Sequence, residues 1–68
     1  MITVDSMGKL CPLPIIDIAL AVKDALPGTI FRLESDDPAT WADLQAWGRM
    51  TGNHVRIIER TTFEVISK

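Results

Sequence analysis

Apolar and polar residues alternate in some parts of the chain and recur at a helical period in others. Alternation, the pattern of half-buried strands, occurs over residues 1–6, 29–35 and 54–67. A period near 3.6 residues, the pattern of amphipathic helices, occurs over residues 12–26 and 38–51. Because a turn near Arg60–Thr62 divides the last alternating stretch, the predicted order is strand, helix, strand, helix, strand, strand.

The first predicted helix has one apolar face, formed by Ile15, Ile18 or Ala19, Val22 and Leu26. The residues expected to face away from the core are Asp17, Ala21 and Asp24. Proline fits poorly inside a helix and glycine readily adopts left-handed angles, so Pro27 and Gly28 are expected to end this helix.

The second predicted helix has a clear start and a clear end. Asp37 can accept hydrogen bonds as N-cap, and Pro38 suits the first helical position because the N–H it lacks would have no partner there. Gly52 is expected to end the helix. Its apolar stripe comprises Leu44, Trp47 and Met50, with Trp41 or Thr51 at the flanks.

These elements predict an α+β fold, a two-layer α/β sandwich with both helices on one face of a four-stranded mixed sheet. Sixty-eight residues support one small domain, residues 1–68. If the first helix connects parallel strands by a right-handed crossover, both helices begin at the same edge of the sheet. Cys11 would then lie near Asp36 and Asp37.

Composition limits the chemistry that such a domain can carry. With one Cys and one His, the chain can form neither an internal disulfide nor a Cys/His metal cluster of the usual ligand count, and no metal or other cofactor is expected. The net charge is -2 and the basic residues are scattered, which argues against tight nucleic-acid binding. Charges interrupt the longest apolar run and no export signal is present, so a cytoplasmic protein without membrane contact is expected, with its thiol reduced.

The one thiol lies directly before a predicted helix. Pro12 restricts Cys11 to extended backbone angles, which are those of a helix N-cap. The sulfur would then face the partial positive charge of the helix start, near the amides of Leu13 and Ile15, where a thiolate or persulfide anion is favoured. The alternative is an inert, buried cysteine that merely precedes a helix.

No catalytic machinery accompanies this thiol in the sequence. His54, the one imidazole, lies far along the chain and is expected to be a surface residue rather than a general base. Lys9 can add a cation near the sulfur, and Pro12 and Pro14 stiffen the turn. A displayed thiol can by itself exchange with another sulfur, carry a sulfur atom or become oxidised.

Three segments, "GKLCPLP", "PGTIFRLESDDPAT" and "AWGRMTGNHV", together resemble the TusA/SirA-like family of small sulfur carriers over essentially the whole chain. Cys-Pro-x-Pro alone is a modest signal, but this order of motifs is specific. The resemblance implies that Cys11 takes sulfane sulfur from a cysteine desulfurase or rhodanese-like protein, holds it as a persulfide and passes it to an acceptor protein. It also implies roles for Gly8 as the turn before the cysteine and for Pro12 and Pro14 as its support.

The same resemblance matches Asp36, Asp37 and Pro38 to the acidic helix-start motif of the family. Their simplest role is helix capping, with tuning of the thiol or partner contact as the alternative. Some family members have a further cysteine near the position of Gly48, and this chain has none there, which leaves a relay with one cysteine.

An apolar rim is predicted around the thiol, formed by Leu10, Leu13, Ile16 and Leu20. It would serve as a docking surface, or it is simply the apolar surface that a small domain leaves exposed. The sequence therefore predicts a sulfurtransferase that acts as a persulfide carrier, for tRNA thiolation, cofactor assembly or sulfur oxidation. The alternatives are a regulatory or interaction module without catalysis and a redox-sensing protein with a single thiol.

Overall fold

A computed structural model describes residues 1–68 and contains the six elements in the predicted order. They are β1 (Ile2–Asp5), α1 (Leu13–Val22), β2 (Ile30–Glu34), α2 (Thr40–Thr51), β3 (His54–Glu59) and β4 (Thr62–Ile66). The turn between β3 and β4 is one residue shorter than predicted, because Thr62 already pairs with Glu34 and Glu59. Neither helix is long and apolar enough to cross a membrane.

The four strands form one mixed sheet in the order β1-β2-β4-β3. β1 is parallel to β2, while β4 is antiparallel to both β2 and β3. The parallel pair requires a crossover, which α1 provides, and α1 and α2 pack side by side on one face of the sheet. The predicted two-layer α+β sandwich is confirmed.

The hydrophobic core lies between the helices and this sheet face. Its six buried members are Ile18, Phe31, Leu33, Leu44, Phe63 and Val65. The strand residues of this set come from β2 and β4 and pair in register, Phe31 with Val65 and Leu33 with Phe63. Trp41 lies at the core edge and stacks on Phe63 with the ring centroids 5.9 Å apart. The core therefore centres on the two middle strands.

The first helix ends at Val22 rather than at Leu26, so this predicted boundary is wrong. The amide of Ala25 donates to the Val22 carbonyl, which turns the chain out of the helix before Pro27 is reached. The Leu26 carbonyl accepts the hydroxyl of Ser67 at 2.6 Å, which fixes this loop to the end of the sheet. The Leu26 side chain consequently leaves the core face and is 78% exposed.

Between the two predicted alternatives, Ile18 is fully buried and Ala19 is not, and Ala21 packs against the core instead of facing away. Asp17 is only partly exposed, because its carboxylate accepts a hydrogen bond from the Ser6 hydroxyl at 2.6 Å. The predicted outward position of Ala21 is therefore wrong, whereas Asp17 lies outside the core, as predicted. The buried face of α1 is broader than the spacing of its largest side chains suggests.

The second helix begins at Thr40, two residues later than predicted. The Asp37 carboxylate accepts the Ala39 amide at 3.0 Å and the Asp37 carbonyl accepts the Thr40 amide at 3.0 Å, so this aspartate caps a turn that precedes the helix. The predicted end is confirmed: Gly52 adopts a φ of +81° and its amide donates to the Gly48 carbonyl.

The buried row of α2 follows four-residue spacing through Thr40, Leu44 and Gly48. Gly48 allows close packing on β3, since a Cβ added there would lie 3.2 Å from the methyl groups of Val55. This choice of row turns Met50 outward, where it is 86% exposed, so its predicted core position is wrong.

Leu44→Ala tests which side of α2 supports the core. Leu44 is fully buried, and its truncation is expected to reduce the free energy of unfolding by about 2–5 kcal/mol. Met50→Ala, a truncation on the same helix, is expected to change it by less than about 0.5 kcal/mol because Met50 is exposed. Urea unfolding followed by circular dichroism measures both, and similar losses in the two variants would contradict the observed packing.

Candidate functional site

The candidate site is built on the connection between β1 and α1, residues 6–12, here called the Cys loop. Ser6 anchors its start, since its side chain is buried and its amide donates to the Glu34 carbonyl at 2.8 Å. Gly8 adopts a φ of +80°, a conformation that favours glycine, as the predicted turn requires. At the end of the loop, Cys11 is a free, exposed cysteine.

Two acidic residues of the connection between β2 and α2, residues 35–39 and here called the Asp loop, hold the Cys loop in place. Asp36 accepts the Gly8 amide at 2.9 Å, and Asp37 accepts the Cys11 amide. The crossover of α1 thus brings together the residues that the sequence analysis placed at one sheet edge. Besides capping its own turn, Asp37 fixes the backbone of the cysteine.

The sulfur itself contacts an acid that the sequence analysis missed. The Cys11 Sγ donates its hydrogen to Asp43 Oδ2 at a distance of 2.6 Å. Asp43 lies in the first turn of α2, which begins at the same sheet edge as the Cys loop. The sequence does contain an indication of this contact, because an acidic residue in the first turn of a helix that begins at this sheet edge lies within reach of the thiol.

The electrostatic environment of the thiol is opposite to the predicted one. The hydrogen bond to Asp43, desolvation and the charges of Asp43 and Asp37 raise the pKa of Cys11. Pro12 is the N-cap of α1 and makes no side-chain capping bond, while the amides of Leu13 and Ile15 donate to backbone carbonyls. The sulfur is therefore not held by the helix start, and the predicted stabilisation of a thiolate there is wrong.

Lys9 also differs from its predicted role. Its Nζ forms an ion pair with Asp17 Oδ2 at 2.9 Å, and the same carboxylate oxygen accepts the Ser6 hydroxyl. These two hydrogen bonds lower the pKa of Asp17. Lys9 therefore ties the Cys loop to α1 and is not the cation beside the sulfur that the sequence suggested.

The prolines predicted for the site lie in or near the two loops, whereas His54 lies far from them. Pro12 is exposed, with a cis Cys11–Pro12 peptide bond, whereas Pro14 is buried in the first turn of α1. Pro38 is exposed in the Asp loop. His54 is exposed at the start of β3. This strand is the outer strand on the side of the sheet opposite β1 and the Cys loop, so His54 cannot serve Cys11 as a base.

The surface beside the thiol is apolar. The four members of the apolar rim, Leu10, Leu13, Ile16 and Leu20, are between 46% and 72% exposed. Cys11 itself borders a shallow groove of about 330 Å³ whose lining includes Ile15, Asp43, Trp47 and Met50. An apolar groove therefore adjoins the thiol, and exposed apolar residues precede and follow Cys11 along the chain.

The chain matches the family described as Sulfurtransferase TusA over residues 2–67. It is 35% identical over 52 residues to a Bacillus subtilis protein named "Putative sulfur carrier protein YrkF", covering 76% of this chain and 28% of that protein. The chain thus spans less than a third of the length of this relative. The crystal structure of a SirA-like protein from Desulfitobacterium hafniense has the same fold, with a TM-score of 0.85, 22% identity and full coverage of both chains.

The chain therefore has the fold of a SirA-like protein, with an exposed cysteine shortly before its first helix. The chain belongs to the Sulfurtransferase TusA family, since the match extends over nearly all of its residues.

Ser6→Ala tests the anchoring of the Cys loop through its pH dependence. The folded-state pKa of Asp17 is lowered, so its hydrogen bonds stabilise the fold above the ordinary pKa of about 3.9, and this stability is lost as the pH falls through the folded-state value. Ser6→Ala is expected to lower the urea midpoint at pH 7, and its deficit relative to wild type should narrow below about pH 4.

The matched control is Ser35→Ala, which removes a buried serine hydroxyl bonded to the Thr40 hydroxyl rather than to a carboxylate. Its deficit is expected to be independent of pH over the same range. An equally constant deficit in Ser6→Ala would show that the hydroxyl does not act through the ionisation of Asp17.

Proposed function

We propose that this chain is a sulfur-relay protein whose residues 1–68 form one TusA-like domain. Cys11 takes sulfane sulfur from a donor protein, holds it as a persulfide and passes it to a cysteine of an acceptor protein. The observation that carries the proposal is the position of Cys11: it is exposed, fixed by Asp37 and bordered by a mostly apolar groove, in a chain of this family. The protein would be a sulfurtransferase in the sense of a carrier.

The transfer step balances without an external oxidant or reductant. The Cys11 thiol loses its proton, and its sulfur attacks the terminal sulfur of a donor persulfide. A new S–S bond forms on Cys11 while the S–S bond of the donor breaks. The electron pair of the broken bond leaves with the donor cysteine, which takes up a proton. The same exchange, with Cys11 now the donor, discharges the sulfur onto the acceptor.

The chain's own residues support display of the sulfur more than its activation. The Cys loop is fixed by bonds from Asp36 and Asp37, so the sulfur is presented in one position. The groups nearest the sulfur are carboxylates, which oppose formation of the thiolate. Activation of the thiol therefore takes place in the complex with a donor or acceptor.

The partners are a donor such as a cysteine desulfurase or rhodanese-like protein and an acceptor that bears a reactive cysteine. We propose that they dock on the apolar rim beside Cys11, in the cytoplasm, where thiols stay reduced. The pathway, whether tRNA thiolation, cofactor assembly or sulfur oxidation, then depends on which partners bind. The protein does not itself bind nucleic acid tightly.

The redox-sensor alternative is less well supported by the site. Sensor thiols react with oxidants as thiolates and generally have low pKa values, whereas the carboxylates beside Cys11 raise its pKa. A regulatory module without sulfur chemistry remains the second candidate, because its docking surface would be the same apolar rim.

Cys11→Ser tests the relay directly. After incubation with a cysteine desulfurase and cysteine, intact-mass spectrometry is expected to show one added sulfur atom on wild-type protein, removable by reductant. The variant is expected to gain none, because serine cannot form a persulfide.

Repeating the reaction with a rhodanese-like donor and thiosulfate guards against an unsuitable donor. A wild-type protein that gains no sulfur from either donor would contradict the relay, and full activity of Cys11→Ser in cells would favour the regulatory module.

Ile16→Glu tests docking at the apolar rim. A charge on this exposed rim residue is expected to slow sulfur transfer from the desulfurase by about tenfold or more, because it must be desolvated in the complex. Loading by inorganic polysulfide, which needs no docking, should be unchanged. Leu26→Glu is the matched control, since Leu26 is exposed beyond the far end of α1. Equal transfer rates in both variants would place docking elsewhere.

A further inference from the structure

Asp43 is the one side chain that bonds directly to the sulfur, and the fold positions it for this contact from a separate element. It projects from α2, whereas Cys11 ends the Cys loop, and 32 positions separate the two in sequence. Its other neighbours in the groove, such as Trp47 and Met50, are apolar. The thiol of Cys11 is therefore the polar group to which the Asp43 carboxylate is hydrogen-bonded in this groove.

The other charged groups around the sulfur are already committed to other bonds. Asp37, from the Asp loop, accepts the amides of Cys11 and Ala39, and it adds a second negative charge near the thiol. Lys9, from the Cys loop, pairs with Asp17 of α1. The thiol therefore donates its hydrogen to a carboxylate, and Lys9 is not beside the sulfur to favour the thiolate.

We propose that Asp43 is a positioning residue that keeps Cys11 mainly in the neutral thiol form while the protein is free, so that the sulfur stays a weak nucleophile until this hydrogen bond is broken in a complex. The inference deepens the proposed relay and rests on it for its purpose. Breaking the bond lets the thiol proton leave to solvent or to a base of the partner. The sulfur then attacks as the thiolate.

The hydrogen bond to Asp43 allows the Cys11 thiol to be exposed and yet weakly reactive. A carrier thiol must reach the reactive sulfur of a partner, so it cannot be buried. An exposed thiolate would also react with oxidants and with unrelated disulfides, since the thiolate is the reactive form. A carboxylate 2.6 Å from the sulfur limits such reactions without covering the sulfur. We expect Asp43 to slow unspecific reactions of Cys11 rather than to catalyse transfer.

Asp43→Asn tests this inference through the pH profile of alkylation by iodoacetamide, with the purified protein alone. The amide keeps the size of the side chain and removes its charge, so the midpoint of the profile is expected to fall by about one pH unit or more. Each unit by which the midpoint falls makes the thiolate about tenfold more abundant at pH 7.5, but it also makes the thiolate less nucleophilic. The net rate of alkylation at this pH should therefore rise about threefold per unit.

Two further variants make the outcome specific. Asp24→Asn removes the same charge from an exposed position beyond the end of α1 and is expected to keep the wild-type midpoint. Asp43→Glu retains the carboxylate and is expected to keep the midpoint closer to wild type than Asp43→Asn does. A midpoint in Asp43→Asn that equals or exceeds the wild-type value, in protein with an unchanged circular dichroism spectrum, overturns the inference.

Loading with inorganic polysulfide separates this inference from the relay. If wild-type Cys11 accepts no sulfur from polysulfide or from a donor protein, the relay fails, while the alkylation profiles still decide whether Asp43 restrains the thiol. If the relay and the restraint by Asp43 are both correct, polysulfide should load Asp43→Asn faster than wild type. Slower loading of Asp43→Asn would show that Asp43 assists sulfur transfer instead.

Discussion

The site depends on one interaction between two loops: carboxylates of the Asp loop accept backbone amides of the Cys loop. Asp36 bonds to Gly8 and Asp37 to Cys11, across 28 and 26 positions of sequence. Hydrogen bonds to charged acceptors are among the stronger ones in proteins, and here they fix a loop that carries few buried side chains. Without them, the cysteine would sit at the end of a mobile connection, and a single defined position for its sulfur would be lost.

The same interaction sets the chemistry of the sulfur. Bringing the Asp loop against the Cys loop also brings the start of α2, and with it Asp43, to the thiol. The acidity that secures the backbone therefore also opposes ionisation of the side chain. In the proposed relay this means that presentation belongs to the carrier, whereas activation belongs to the complex. The apolar rim, whose four residues are exposed, suits a protein that works only while bound to another.

Much of the fold could be predicted from the sequence because its signals are local. Alternation located the strands, and Gly52 ended α2 because only a residue tolerant of a positive φ fits there. The failures concern which helix residues face inward. Met50 follows the periodic stripe but is exposed, because close packing of Gly48 on Val55 selects the row through Leu44. Leu26 extends the stripe of α1 but is exposed, because its carbonyl bonds to Ser67 near the end of the chain. These choices depend on contacts between elements, which a period along one helix does not contain.

For the site, the sequence by itself determined that one thiol precedes a proline-rich helix start and that a pair of aspartates lies shortly before the second helix. It also determined family membership, because the motifs are contiguous and keep their order. Only the tertiary structure decided the charge around the sulfur. The amides expected to attract a thiolate are used by neighbouring carbonyls, and the cation expected beside it is held by Asp17, while Asp43 arrives from a distant element. The physical reason is that the pKa of a thiol depends on groups within a few ångströms of it, and the two carboxylates that act on Cys11, those of Asp37 and Asp43, lie 26 and 32 positions further along the chain.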